Sequence, residues 1–348
     1  MFYRIIILFC VMLTLLSCAG KNERVLYIFN WTDYIAEDLI QKFEKENNCK
    51  VIYDTYNSNE NMLTKMLTTK SSYDIVVPSG DHVTIMTQKG LLEPIDPKKL
   101  KNFKNLDPII MEKARSFDPN NQFSVPYFWG TTGLIYNKKY VPYSILESNS
   151  WNILADPFFK DKNKITLLDD AREVVGAALI LTGYTPNVTT EPVLKAAREV
   201  LTTWDANVSQ YDSDSYKNEI QDGTTWLAQA YNGDALQVMQ SNPDVSFFLP
   251  KEGTSLWIDS MVIPKYAEHK ELAYKFIDFL LDAENGKVNA EYVQYATPNR
   301  ASLQLLAKDV KSNPLIYPDT AYLKLCTMIE NIGENVLKID NIWQDIRK

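Results

Sequence analysis

The amino-acid sequence predicts an α/β fold of two lobes, each a mainly parallel sheet flanked by helices, with a ligand cleft between the lobes. Three observations lead there. Strand-like and helix-like patterns alternate from Arg24 to Lys89. A second alternating set opens at Lys164. The chain of 348 residues also exceeds what one core usually fills, which gives roughly two domains.

In chain order, Arg24–Phe29 reads as a strand, and Glu37–Asn47 as a helix that places Leu39, Ile40 and Phe43 on one face. Lys50–Tyr53 is the next strand, followed by a helix Asn59–Thr69 with Met62, Met66 and Leu67 at helical spacing. Asp74–Pro78 is a nearly continuous apolar run, as expected of a central parallel strand covered on both faces, and a helix Val83–Lys89 follows. Phe123–Lys138 holds Pro126, Trp129 and Gly130 among apolar residues and suits a crossing between lobes that ends in a strand Gly133–Tyr136. The second set has strands at Lys164–Leu168, Thr225–Tyr231 and Val245–Leu249, with helices at Ala171–Leu181 and Pro192–Trp204. A strand Trp257–Ile263 and helices Glu268–Leu281 and Glu284–Val293 return the chain to the first lobe. The expected division is 24–126 with 258–300 in the first lobe and 127–257 with 301–348 in the second. A chain that leaves one lobe and comes back crosses the cleft twice, and such linkers act as a hinge that closes on a ligand.

Composition narrows the function. With 45% hydrophobic and 23% charged residues the chain is neither disordered nor fibrous. Lys+Arg number 36 against 44 Asp+Glu, so no broad basic field exists to attract phosphates and a nucleic-acid partner is not expected. The two histidines, His82 and His269, cannot build a histidine-rich metal site and leave few candidates for a His-dependent triad. No cofactor is expected.

The start of the chain reads as an export signal: Arg4 precedes the apolar stretch Ile5–Leu16, and Ser17-Cys18-Ala19-Gly20 follows. Leu15-Leu16-Ser17-Cys18 resembles the lipobox of bacterial lipoproteins. Residues 1–17 are then removed, Cys18 carries the lipid, and 18–23 tether the body to a bacterial membrane on its periplasmic side, the lipid being its one membrane contact. Loss of Arg4 takes the formal charge from -8 to -9. Cys49 and Cys326 remain, and buried free thiols are expected for both, Cys326 within a helical pattern.

Candidate ligand residues cluster where strands give way to helices, the edge at which doubly wound folds bind. After the first strand stands Asn30-Trp31-Thr32-Asp33-Tyr34, with Trp31 and Tyr34 spaced to wall a slot and Thr32 or Asp33 placed to cap a helix. After the third strand, Ser79 offers a hydroxyl and Asp81 a carboxylate, although a bare cap explains Ser79 equally well. At Leu168-Asp169-Asp170-Ala171-Arg172-Glu173, Asp170 and Glu173 have capping-box spacing, and a helix N-terminus also favours the ionised carboxylates that an ammonium needs. Trp257 and Asp259 alternate on a strand, so they share a face that can hold an alkylammonium by ring and charge together. The alternative there is a core Trp beside an Asp paired with Arg. Tyr231 and Tyr295 are further aromatics at loop edges.

Asn30-Trp31-Thr32-Asp33-Tyr34, the Tyr73–Ser79 segment YDIVVPS, Asn105-Leu106-Asp107-Pro108, the Leu168–Val174 segment LDDAREV, Pro250-Lys251-Glu252-Gly253 and the Tyr295–Asn299 segment YATPN together resemble the substrate-binding proteins of bacterial spermidine/putrescine ABC importers. The resemblance implies the two-lobed periplasmic-binding-protein fold, with a polyamine held between the lobes. It implies that Trp31, Tyr34, Trp257 and Tyr295 flank the methylene chain. Asp170, Glu173 and Asp259 would neutralise amino groups, and Thr32 and Ser79 would add hydrogen bonds. Tyr231 stands where the spermidine binder has Trp. Asp81 stands where that type has Tyr, and Ile329-Glu330 where it has a Gln in a late helix. Loss of that acceptor leads to the expectation that putrescine binds at least as well as spermidine.

The leading expectation is therefore a monomeric, non-enzymatic polyamine receptor whose closed form docks on an ABC permease and its ATPase. A receptor for another small solute such as a sugar, a secreted hydrolase using Asp170 and Glu173, and an envelope scaffold are the alternatives. The two carboxylates lie on one helix turn, whereas acids flanking a scissile bond normally come from different elements.

Overall fold

The computed structural model describes residues 24–68 and 73–347. The expected signal segment 1–17, the expected lipid attachment at Cys18 and the expected tether 18–23 lie outside the described residues. In the first lobe, strand β1 (Val25–Trp31) runs parallel to β2 (Lys50–Tyr56) on one side and to β3 (Ile75–Val76) on the other. Helices α1 (Glu37–Asn47), α2 (Asn59–Thr68) and α3 (Gly80–Gln88) follow the three strands in turn. α1 buries Leu39 and Phe43 and ends where Asn48 takes a left-handed conformation at φ 47, which Asn tolerates better than most residues.

β3 is shorter than the apolar run Asp74–Pro78 predicts. The Val77 carbonyl accepts from the Trp31 indole at 2.9 Å and the Tyr56 hydroxyl at 2.6 Å instead of from a neighbouring strand, and Pro78 has no N–H to donate.

The expected crossing segment and the strand Gly133–Tyr136 prove to be one continuous strand, β4 (Ser124–Asn137). Its residues Ser124 to Thr131 pair antiparallel with β9 (Ser255–Val262), and the remainder pairs with β7 (Leu227–Tyr231) and β8 (Val245–Phe248). Pro126 sits at a register irregularity, which lets a proline stay inside a paired strand. In the second lobe β5 (Ile165–Leu167) lies parallel between β7 and β6 (Val208–Tyr211). Two parallel runs, β2-β1-β3 and β7-β5-β6, are thus joined through the antiparallel pair β9 and β4. β4 and β9 carry the chain between the lobes.

Among the elements that the reading of periodicity missed are β6, the helix α4 (Tyr216–Asp222), the helix α5 (Asn232–Ser241) and the last helix (Val336–Ile346). Asn232-Gly233 reads as a turn, yet it opens a helix directly after β7. Each lobe has its own apolar core. Trp151, Trp204 and Tyr216 are fully buried in the second, together with Ile339, Ile342 and Ile346 of the last helix. The first-lobe sheet is covered on both faces, by Phe43 and Phe276 on one and by Met62 and Met86 on the other. Leu303 and Leu306 pack into the Phe43 cluster. Cys49 and Cys326 are half-buried free thiols, and Cys326 lies in a connection after the short helix Thr320–Leu323 rather than in a helical pattern. Among the described residues no helix is long and apolar enough to cross a membrane.

Candidate ligand-binding cleft

The cleft is built where β1, β3, β7 and β9 deliver side chains to the same edge. After β1 the chain turns sharply at Asp33, φ 56, and this turn sends Tyr34 inward. Its hydroxyl donates to Asp259 Oδ2 at 2.7 Å. Neither Thr32 nor Asp33 caps a helix: α1 starts behind Ala36 with no side-chain cap, so the expected capping role is withdrawn. Trp31 packs on Tyr56 with ring centroids 4.6 Å apart, and Thr32 is exposed at the rim.

Ser79 precedes α3 in the cap position, but its hydroxyl does not cap. It donates to Asp259 Oδ1 at 2.7 Å and accepts from the Asn59 amide at 3.2 Å. Asp259 is therefore held by two neutral donors, Tyr34 and Ser79, and by no arginine. The alternative of a core Trp beside an Arg-paired Asp does not form. Trp257 faces the same cleft, two residues back on β9 as the alternation predicts. Its ring meets Tyr295 edge-on at 5.0 Å and Tyr231 at 6.0 Å, while Tyr295 meets Tyr34 at 5.4 Å. The indole nitrogen of Trp257 is buried without a hydrogen-bond partner.

On the second lobe Asp170 caps the helix Ala171–Leu181 by accepting from the backbone N–H of Arg172 and Glu173, at 2.9 and 3.1 Å. The reciprocal half of the expected capping box is missing, because the Glu173 carboxylate turns away to accept from Ser255. Arg172 sends its donors to the Glu330 carbonyl and to Asn187. Asp81 lies 3.1 Å from His82 Nδ1, at an angle that leaves the imidazole nitrogen without a proper hydrogen bond.

Electrostatics follow from this burial. Desolvation is the largest influence on Asp259 and pushes its carboxyl up to about 7, against the two hydroxyl donors. Glu173 and Asp170 are also pushed up, by burial first, then by Asp170 acting on Glu173 and by Glu60 acting on Asp170. Burial works upward on Asp81 as well, but the adjacent His82 outweighs it and holds that carboxyl below its usual value. A buried pocket lined with carboxylates that resist ionising alone is matched to a cation that would ionise them.

All eleven candidates line this one cleft, with Thr32 at its rim and Asp81 at the start of α3. The cavity measures about 110 Å³, room for several waters or one slender molecule. Glu60, Asp234, Lys217 and Met328 also line it and were not singled out in advance, while Ile329 lines it at the position where the resemblance implies a change at the terminal-amine end. Asp234 was accessible to the same logic as Tyr231, since it stands in the first turn after β7. Lys217 was not, because the helix that carries it has no sharp apolar period. Ile329 stands in an irregular segment after β10 (Thr327–Met328), not in a late helix, so the helical placement of Ile329-Glu330 is corrected.

Two α/β lobes hinged by crossing strands around a closed-in pocket define the class of periplasmic solute receptors. The chain belongs to the bacterial extracellular solute-binding protein family, whose model matches residues 38–318. It is 40% identical over 330 residues to the spermidine/putrescine-binding periplasmic protein of Escherichia coli strain K12, covering 94% of this chain and 93% of the relative. Among solved structures it is similar to the spermidine/putrescine ABC transporter substrate-binding protein PotD of Streptococcus pneumoniae, with a TM-score of 0.81 and 34% identity over 93% of this chain and 99% of that one. The TpPotD lipoprotein of Treponema pallidum matches with a TM-score of 0.81 and 31% identity, over 92% of this chain and 99% of that one.

Proposed function

We propose that this protein is a polyamine receptor that captures putrescine or spermidine between its lobes and delivers it to an ABC permease and its ATPase. The observation that carries this reading is Asp259, a buried carboxylate held only by neutral hydroxyls beside the rings of Tyr34, Trp257 and Tyr295. An alkylammonium meets a counter-ion there and an aromatic face along its methylenes, a combination worth about 2 kcal/mol or more per desolvated cation–π contact. Trp31, Thr32, Ser79, Asp81, Asp170, Glu173 and Tyr231 complete the ligand set in this reading. The names of the relatives point to the same ligand class.

The protein acts as a monomeric receptor without catalysis, exported to the periplasm and held at a membrane by lipid on Cys18. The division of the lobes goes with this function, 24–126 with 258–300 opposite 127–257 with 301–348. The packing of Leu303 and Leu306 into the first-lobe cluster that holds Phe43 argues that the first lobe reaches past 300. Putrescine is bound at least as well as spermidine, because Met328 and Ile329 give that part of the wall an apolar lining. Thermal melting tests the reading. A specific ligand raises apparent stability by RT ln(1 + [L]/Kd), so putrescine should shift the transition and a neutral sugar should not. An envelope scaffold would respond to neither.

A further inference from the structure

On the reading that the cleft takes a polyamine, we propose that Lys217 is a resident ammonium at the mouth of the cleft, which occupies the acids there and so selects a diamine over a triamine.

Lys217 belongs to α4 of the second lobe, and its Nζ lies 3.0 Å from Asp33 Oδ2 in the first-lobe loop after β1. The ion pair therefore spans the two lobes. A second polar contact does the same nearby, from the Asn57 amide to Asp214 Oδ2 at 3.1 Å. The Lys217 side chain is 19% exposed and lines the same cavity as Asp214, Asp234 and Tyr231. Burial on its own would drive the proton off this amine. Asp234, then Asp33 and Asp214, outweigh that, and the net effect is to keep the ammonium charged above the usual lysine range.

The acids around Lys217 are already committed. Both oxygens of Asp234 accept phenol hydroxyls, from Tyr216 at 3.0 Å and Tyr295 at 2.8 Å, so this carboxylate is fixed in place facing a cation the protein itself supplies. What sets Asp234 apart is the nearby charge of Lys217, since three further carboxylates in the cleft also have only neutral hydrogen-bond donors. Asp259 has Tyr34 and Ser79, Asp170 has two backbone N–H groups, and Glu173 has Ser255. These form two groups, one on β9 and one at the start of the helix Ala171–Leu181. Two groups suit two ammoniums. A third amine on a longer chain, directed to the mouth, meets a like charge that cannot leave without breaking an interlobe ion pair.

The test is calorimetric titration of the full mature protein with putrescine and with spermidine, on the wild type, Lys217→Met, Lys217→Arg and Asp33→Asn. Lys217→Met should raise the spermidine-to-putrescine affinity ratio by about tenfold. Lys217→Arg keeps the charge and should keep the ratio. Asp33→Asn breaks the same ion pair but leaves the cation, so the ratio should stay level or fall. An unchanged ratio in Lys217→Met overturns the proposal. So does an equal rise in Asp33→Asn, which would assign the effect to looser lobe closure, or an equal rise in Lys217→Arg, which would assign it to packing. Failure of the wild type to bind either amine would refute the polyamine reading itself, a result separate from a constant ratio among variants that do bind.

Discussion

Ser79 and Asp259 stand 180 positions apart in the chain, yet the Ser79 hydroxyl donates to Asp259 Oδ1 at 2.7 Å and the two backbones form an isolated antiparallel bridge. The contact ties the start of α3 to the crossing strand β9, and the Tyr34 hydroxyl closes the other side of the same carboxylate. A group held this way serves as a fixed counter-ion without reorganising when a ligand arrives.

Asp259→Asn should accordingly lower polyamine affinity by about a hundredfold or more, since removing one member of a buried charge pair costs about 3–5 kcal/mol. The unliganded variant should melt within about 5 °C of the wild type, because Asn keeps the size and part of the hydrogen bonding. Titration calorimetry and a melting curve check both. Unaltered affinity would remove Asp259 from the site.

Acidity should weaken binding. The Asp259 carboxyl is pushed up to about 7, and Glu173 and Asp170 move the same way. Their folded values lie above the unfolded ones near 4, so the unliganded fold holds the extra protons. The stability these groups contribute is full below the unfolded values and is lost as pH rises through the folded ones. A dication reverses the preference and releases protons on binding. Affinity should therefore rise from pH 5.5 to about 8, and titrations at pH 7 in two buffers of different ionisation enthalpy should show net proton release. Net uptake would contradict the assignment.

Gly130→Ala should damage the cleft from below. A Cβ there would stand 2.4 Å from Trp257 Cζ2 and 2.5 Å from Asn232 Oδ1, and Asn232 is anchored by its bond to the Leu315 carbonyl at 2.8 Å. The Trp257 ring must yield. Overpacking of this kind costs about 1–3 kcal/mol of stability, and affinity should fall about tenfold as the ring leaves its position. Chemical denaturation and titration report the two effects separately.

Much of this was legible in the sequence, for reasons that are local. Leu39, Ile40 and Phe43 set the helical period of α1, whose bounds the structure reproduces. The two-residue alternation from Trp257 to Asp259 placed both on one face before any tertiary contact was known. What failed to show was set at a distance. Pro126 and Gly130 made β4 look like an irregular crossing, because nothing local reveals that β9 pairs along it. Ser79 looked like a cap until Asp259 arrived from β9 to take its hydroxyl. The pair Asp33 and Lys217 exists only once the lobes face each other.

Replacing the expected lipid-bearing cysteine, Cys18→Ser, should release the protein from the membrane fraction into the soluble periplasmic fraction without altering ligand affinity. Cell fractionation with immunodetection checks this. Retention in the membrane fraction would place the anchor elsewhere.

The central claim is that buried acids and aromatic rings in the cleft hold the ends and the stem of a polyamine. Isothermal titration of the purified mature protein at about pH 8, above the raised values of Asp259 and Asp170, tests it most directly with putrescine, spermidine and a neutral sugar. The account predicts saturable binding of one polyamine per chain, lost in Asp259→Asn, and no heat from the sugar. Sugar binding that survives Asp259→Asn, with neither amine bound, would contradict it.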